Sequence, residues 1–391
     1  MASSTAAAPQ LRLPLWTRTL TTVTTSFDRP SAPAGEGTAL VGSSNGIAAL
    51  DLTSGKTRWF IPAVDYFAVA GDVVVFGRST ALFAVRVDHG GILWKKPCVV
   101  PFVLAVGDRV VTICNGNVAI VRARDGALLA SRRLDQRASG STYGAAPIND
   151  DFFELDGNHE LSTTFSVIDA HAGRYVWGKG GETQVLASGK TWIDITPDRS
   201  RFPWADSGTV ERRGLSDGKL LSTKHYSFPG PDEGHGLPLD VSTAAAYGLA
   251  GNGQLYRVPL GSTEAARVYQ TDAPTTGAVV LGASAFFGVP QNNDTTSAPM
   301  FVDRAQAGRF VVAPLGEFES AFGKRSFAMR VADHVALAAH GTVTLFDERG
   351  EATAQLQVGC RNVEAIDATA KRYVVVCYDA FRPTVLAFSR D

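Results

Sequence analysis

Residues 49–62 read ALDLTSGKTRWFIP: an apolar run, a polar Ser-Gly turn and a tryptophan within one hairpin. Apolar residues alternating along a short stretch fit the period of two of a β-strand, and Ser54-Gly55 is a turn signal. A single hairpin of this kind belongs to an ordinary β domain. A repeated one implies a different architecture.

The hairpin recurs. AALDLTSGKTRW (48–59) is followed by LFAVRVDHGGILW (82–94), NVAIVRARDGALLA (117–130), TFSVIDAHAGRYVW (164–177) and TVERRGLSDGKLLS (209–222). QLYRVPLGSTEAARV (254–268), MFVDRAQAGRFVV (300–312) and TVTLFDERGEATA (342–354) continue the series. Each is a strand, a polar turn and a second strand, and two more alternating strands precede most copies, as in YFAVAG and DVVVFG (66–77). Four short strands in about forty residues is the sequence pattern of a β-propeller blade. The final segment, KRYVVVCYDAFRPTVLAFSRD, ends after two long strands. LPLW (13–16) resembles the tryptophan-bearing fourth strands GILW and RYVW, so the N-terminal strand, 13–20, is expected to close the last blade. The predicted fold is all-β: one closed propeller domain over residues 1–391, with nine four-stranded blades by repeat count and eight as the alternative. Residues 1–10 are expected to be flexible.

Composition agrees. The 391 residues are 45% hydrophobic and 19% charged, enough to bury a large core, and they include 39 Gly but only 3 Met. Valine, threonine, phenylalanine and glycine favour strands and turns over amphipathic helices. With 37 Lys+Arg against 38 Asp+Glu the net charge is −1, which gives no global attraction for nucleic acid or anionic membrane. No apolar run reaches the roughly 18 residues of a membrane span. The N-terminus lacks a basic region followed by an apolar one, so it does not read as a signal peptide. The expected location is cytoplasmic, or secreted or periplasmic if a leader has been removed.

The opening hairpin resembles the repeat of quinoprotein-like (PQQ-like) β-propellers, whose docking motif is A-x-D-x-x-T-G-x-x-x-W. Ala49, Asp51, Gly55 and Trp59 match, with Ser54 in place of Thr. Asp169, Gly173 and Trp177 match with Val167 at the first place, and Ala84, Gly90 and Trp94 match with Arg86 in place of Asp. The resemblance implies that Trp59, Trp94 and Trp177, with Trp16 as their counterpart in the last blade, lock one blade to the next. Physically, a glycine permits the tight turn, and an indole buries a large flat surface. The family's enzymatic branch binds pyrroloquinoline quinone and Ca²⁺ and carries adjacent cysteines over the quinone. This chain has none, so no cofactor is expected. The resemblance is closest to the branch of non-enzymatic scaffolds that bind partner proteins.

In a propeller, the loops joining strands two and three and those between blades share one face. The longest of these read from the sequence are 137–148, 156–162, 197–208, 226–238 and 289–299. Long loops on a rigid scaffold carry function, and aromatic residues with arginine compose binding hot spots. The candidate binding residues are Arg199, Arg201, Phe202, Trp204, Tyr226, Phe228, Asp232 and His235. The bland alternative is that these loops only cover the sheets. The expected partner is a protein, the chain being a monomer on its own. Two other readings stand beside it. One is a lyase or hydrolase with a metal or acid/base site at the channel mouth, for which DEGHG (232–236) and LDGNHE (155–160) are weak motifs. The other is a propeller that binds a sugar or other small molecule in an aromatic pocket.

Cys98 and Cys114 take the same places in one blade as Cys360 and Cys377 in the last, so each pair is within possible disulfide reach. In a cytoplasmic protein they read as small buried thiols. Their spacing does not suit zinc.

Overall fold

The computed structural model describes residues 9–20, 31–34, 37–43, 46–64, 66–99, 102–114, 116–133, 141–148, 151–159, 162–180, 184–188, 191–197, 207–227, 238–241, 245–249, 254–259, 266–270, 277–281, 284–291, 296–306, 309–314, 318–319, 328–339, 341–360, 362–379 and 382–391. The protein is all-β, and the described strands make nine sheets. In chain order sheet I spans 31–62, sheet II 66–97, sheet III 104–133, sheet IV 141–180 and sheet V 184–227. Sheet VI spans 238–270, sheet VII 277–314, sheet VIII 328–357 and sheet IX 362–389 together with Trp16–Thr19. Consecutive strands are neighbours within each sheet; sheet VII gains Phe318–Glu319 and sheet VIII gains Gln10–Arg12 as a fifth strand, and in sheet IX Trp16–Thr19 takes the fourth place beside three consecutive strands. Among the described residues no sheet closes on itself. No helix of the described residues is long and apolar enough to cross a membrane.

The chain divides into two compact units. One is Thr22–Thr196 with Glu211–Thr223, and holds sheets I to IV and part of sheet V. Its cores lie between consecutive sheets, because inner strands are apolar on both sides. In Val73–Arg78 of sheet II, Val74 and Phe76 join a cluster with Leu40, Ile47 and Ala49 of sheet I. Val73 and Val75 join Val110 and Val121 of sheet III on the opposite side. The same alternation sends Val111 of sheet III toward Phe153 and Ile168 of sheet IV. Burial of both faces explains why these strands read as unbroken valine runs. Completely burying a valine or leucine side chain is worth about 1.5–3 kcal/mol, so these interfaces supply most of the drive for sheet-on-sheet packing.

The turns before the outer strands share one wiring. The N–H of Gly55, Gly90, Gly126, Gly173 and Gly218 bonds the carbonyl of the residue four earlier, at 2.8–2.9 Å. All five glycines have φ between 63° and 69°. That left-handed conformation is favourable only without a β-carbon. A register shift follows, after which Trp59 stands opposite Ala49, Trp94 opposite Ala84 and Trp177 opposite Val167.

From there each tryptophan reaches the next sheet. The Trp59 indole N–H donates to Val87 O at 2.8 Å, Trp94 to Ala123 O at 2.7 Å and Trp177 to Leu215 O at 3.1 Å. Each acceptor lies three residues before that sheet's turn glycine. A β-carbon on Gly90 would lie 2.7 Å from Trp59 Cγ, one on Gly126 2.7 Å from Trp94 Cδ2, and one on Gly218 2.5 Å from Trp177 Cγ. The glycine is therefore needed twice, for its φ and for the indole lying on it. Sheet III has Ala130 at the tryptophan position, and a β-carbon on Gly173 of sheet IV would have Ile120 and Ala130 as its nearest neighbours, at 3.4–3.7 Å, an ordinary contact.

The other unit is Met1–Thr21, Pro197–Val210 and Lys224–Asp391. Its sheets VII and VIII share a core of Leu281, Phe286, Val335, Leu337 and Phe346. Sheets VIII and IX share Ala336, Leu345, Leu356, Val375, Leu386 and Phe388. Trp16–Thr19 pairs antiparallel with the last strand, Arg382–Ser389, placing Trp16 opposite Ala387. Just before it, Gln10–Arg12 pairs in parallel with the outer strand of sheet VIII. The N-terminal segment thus straps two outer edges together. Arg12 fixes it by donating from Nη1 to the carbonyls of Ser389 (2.6 Å) and Asp391 (2.9 Å). The sequence pattern does not show this parallel strand, because three residues are too few for a period.

All four cysteines are paired, Cys98 with Cys114 and Cys360 with Cys377. The reading of buried thiols is thereby corrected. Each bond ties the connection entering a sheet to that sheet's second strand, with Cα atoms 5.3 and 6.3 Å apart.

Candidate functional site

The polar groups that recur in the repeat are occupied in building it. Asp51 Oδ1 accepts from the N–H of Thr53 (3.0 Å) and Ser54 (2.8 Å), closing an Asx turn, while Oδ2 pairs with Arg58. The Arg58 guanidinium, helped by the Ser54 bonds, holds the Asp51 carboxyl down at about 2. Asp169 makes the same turn with the N–H of His171 (2.8 Å) and Ala172 (2.9 Å). Burial acts to raise its pKa, but those two N–H bonds and Arg174 outweigh it and leave the pKa lowered. Arg86, at the aspartate position of sheet II, pairs instead with Asp72 at 2.9 Å. Asp51, Gly55, Trp59, Gly90, Trp94, Asp169, Gly173 and Trp177 are therefore parts of the framework.

The opposite ends of the strands differ from the sequence expectation in three places. Residues 156–162 were read as a loop, but Phe152–His159 and Ser162–Asp169 are long paired strands. The first five residues of LDGNHE, 155–159, thus belong to a strand and not to a loop. Likewise Ser141–Pro147 occupies much of 137–148, and Ser284–Gln291 pairs with Thr296–Gln306 across 289–299. Polar, glycine-containing strands give a loop-like composition, which is why the sequence pattern missed them.

Two long connections remain, and both belong to sheet V. Its strands are Gln184–Ser188, Thr191–Pro197, Ser207–Gly214 and Leu220–Ser227, in that spatial order. The Gly214–Lys219 turn closes one end. In a meander, the connection after Pro197 and the one after Ser227 both leave from the other end. Tyr226 lies in the last strand, Leu220–Ser227. Arg199, Arg201, Phe202, Trp204, Phe228, Asp232 and His235, like the whole DEGHG motif, lie outside the described residues. Among the described residues no group of three or more His, Cys, Asp or Glu side chains gathers in a way that could hold a metal ion.

The outer strands carry a feature the sequence reading passed over. Two positions after the turn glycine come exposed aliphatic pairs: Ile92-Leu93, Leu128-Leu129 and Leu220-Leu221. The signal was present in GILW, GALLA and GKLLS, but without knowledge of which strand is outermost it reads as core.

No protein-family model and no curated protein matches this chain. Among solved structures, BamB from Moraxella catarrhalis is similar at 15% identity, over 96% of this chain and 99% of that one, with a TM-score of 0.47. Sqt1 from Saccharomyces cerevisiae is similar at 12% identity, over 84% and 96% of the two chains, with a TM-score of 0.48.

Proposed function

We propose that this chain is a non-catalytic β-propeller scaffold that binds a protein partner through the loop end of sheet V. The observation that carries the reading is that Pro197, Ser207 and Ser227 are strand ends of sheet V opposite its Gly214–Lys219 turn, and the sequence following Pro197 and Ser227 holds Arg199, Arg201, Phe202, Trp204, Phe228, Asp232 and His235. Aromatic and arginine side chains concentrated on one part of a rigid frame are the composition of a binding hot spot. The framework residues that resemble a chemical motif are spent on turns and on indole locks, which favours binding over catalysis.

In this reading the nine sheets are nine blades of one domain, monomeric on its own, with the N-terminal strand completing the last blade. The partner is captured by the loops, and Trp204→Ala and Phe228→Ala abolish that capture while the thermal melt stays unchanged. Unaltered capture by both variants refutes the loop end as the binding site. For location we favour an oxidising compartment, outside the cytoplasm, because two disulfides at equivalent places persist there and are rarely kept in the reducing cytosol. Trapping thiols by alkylation in intact cells tests this: fully alkylated cysteines in the native protein would rule it out.

A further inference from the structure

The outer edge of sheet VIII is covered. Gln10, Leu11 and Arg12 lie in parallel along Ala354, Gln355 and Leu356. An outer edge of this protein therefore accepts an added strand, and accepts it in parallel. The register shift in each sheet fixes the equivalent positions. Ala354 stands opposite Leu345 after its shift, as Ala130 stands opposite Ile120 after its own. The footprint of Gln10–Arg12 thus corresponds to Ala130–Arg132 on the outer strand of sheet III, Leu128–Arg133.

That strand is the last in its sheet, and no described strand pairs with its outer side. Its side chains also differ from those on the covered edge. Leu128 and Leu129 are 56% and 38% exposed beside the bulge. Ser131, Arg132 and Arg133 follow, all exposed. Arg132 Nε donates to Ala172 O at 3.4 Å, and among the described residues neither arginine forms an ion pair with a carboxylate. Sheet II repeats the pattern with Ile92-Leu93 and Lys95-Lys96, but its outer strand ends in Pro97, which has no N–H, and Lys95 lies over the Phe83 ring. Sheet III therefore offers the more complete edge.

We propose that the outer edge of Leu128–Arg133 docks an extended segment of a partner protein as a parallel fifth strand. The segment is apolar in its N-terminal half, over Leu128 and Leu129, and acidic in its C-terminal half, over Arg132 and Arg133. Main-chain hydrogen bonds of strand addition supply affinity, and the side chains fix register and direction. Basic residues on a free edge discourage pairing between copies of this chain, and the same charges attract an acidic strand. This surface is separate from the loop end of sheet V, and its test does not depend on that reading.

The test uses the full chain and a fluorescein-labelled peptide, Val-Thr-Val-Thr-Glu-Asp-Glu-Thr, followed by anisotropy at low salt. Saturable binding is expected, together with slowed hydrogen exchange at residues 128–133. Arg132→Glu with Arg133→Glu should weaken it at least about tenfold, as should replacing the peptide's acidic residues by lysine, which needs no protein variant. N-methylation of alternate peptide amides, and reversal of the peptide sequence, should each weaken it by about the same factor. No binding, equal binding of the forward and reversed peptides, or indifference to the charge changes or to N-methylation would overturn the proposal.

Discussion

Trp94 lies on the backbone of Gly126, so near that a β-carbon there would stand 2.7 Å from the indole Cδ2. Two residues 32 positions apart thus fit as lid and seat, and the same relation links Trp59 with Gly90 and Trp177 with Gly218. Gly71 also has a positive φ, but nothing lies within 4 Å of the position its β-carbon would take.

The two requirements on these glycines can be separated by substitution. Gly71→Ala should cost about 1 kcal/mol, the left-handed conformation alone, whereas Gly90→Ala and Gly126→Ala should cost about 2–4 kcal/mol because the indole must also move. Chemical denaturation of the three variants checks the order. Equal losses would show that the indole contact is unimportant.

Two of the three locking tryptophans face an alanine across their strand pair. Trp59 and Trp94 stand opposite Ala49 and Ala84, whereas Ala130 stands opposite Ile120. Bulk has changed sides in sheet III. Ala130→Trp alone should overpack against Ile120 and cost about 1–3 kcal/mol, and Ile120→Ala alone should cost about 2–5 kcal/mol. The double variant should be more stable than the sum of the two losses, since its indole can lie on Gly173. Strict additivity in a double-mutant cycle would count against this exchange.

Each disulfide closes a loop, with sequence separations of 16 and 17. Loop entropy in the unfolded chain then predicts that Cys98→Ser with Cys114→Ser lowers stability by about 3 kcal/mol. Protein unfolded without reductant should expose no thiol to Ellman's reagent. Four reactive thiols would mean the bonds do not form.

Asp51 gives a pH signature. Its pKa is held at about 2, below the ordinary carboxylate value of 3.8, so its stabilising effect is complete above about pH 4 and is lost as pH falls through about 2. Asp51→Asn keeps an oxygen for the turn but loses the charge that Arg58 pairs with. It should cost about 1–2 kcal/mol at neutral pH, after allowing for partial exposure of both side chains, with the gap to wild type narrowing between pH 4 and pH 2. A gap constant across that range would show that the ion pair contributes nothing.

Much of the framework was legible in the sequence because its causes are local. An Asp-x-x-Ser-Gly run such as 51–55 sets an Asx turn and a left-handed residue within five positions, and valine runs such as 73–75 report burial on both faces. The loop end was legible only in part. Residues 197–208 and 226–238 were read as loops, and strands of sheet V end at Pro197 and Ser227, but 156–162 was read as a loop too because Gly157, Asn158 and His159 have turn-like composition, whereas Phe152–His159 is a strand. Pairing with Ser162–Asp169 overrides that local preference.

The sequence by itself determined the repeat, the turn chemistry, the strand count within each unit of about forty residues and the identity of the locking tryptophans. Each of these is set by side chains a few positions apart. Only the tertiary structure decided what each tryptophan rests on, which cysteines join, that Gln10–Arg12 adds in parallel to a sheet more than 300 residues away, and which strands present a free outer edge. Those relations depend on which surfaces meet once the strands are stacked, and periodicity along the chain carries no information about distance across it.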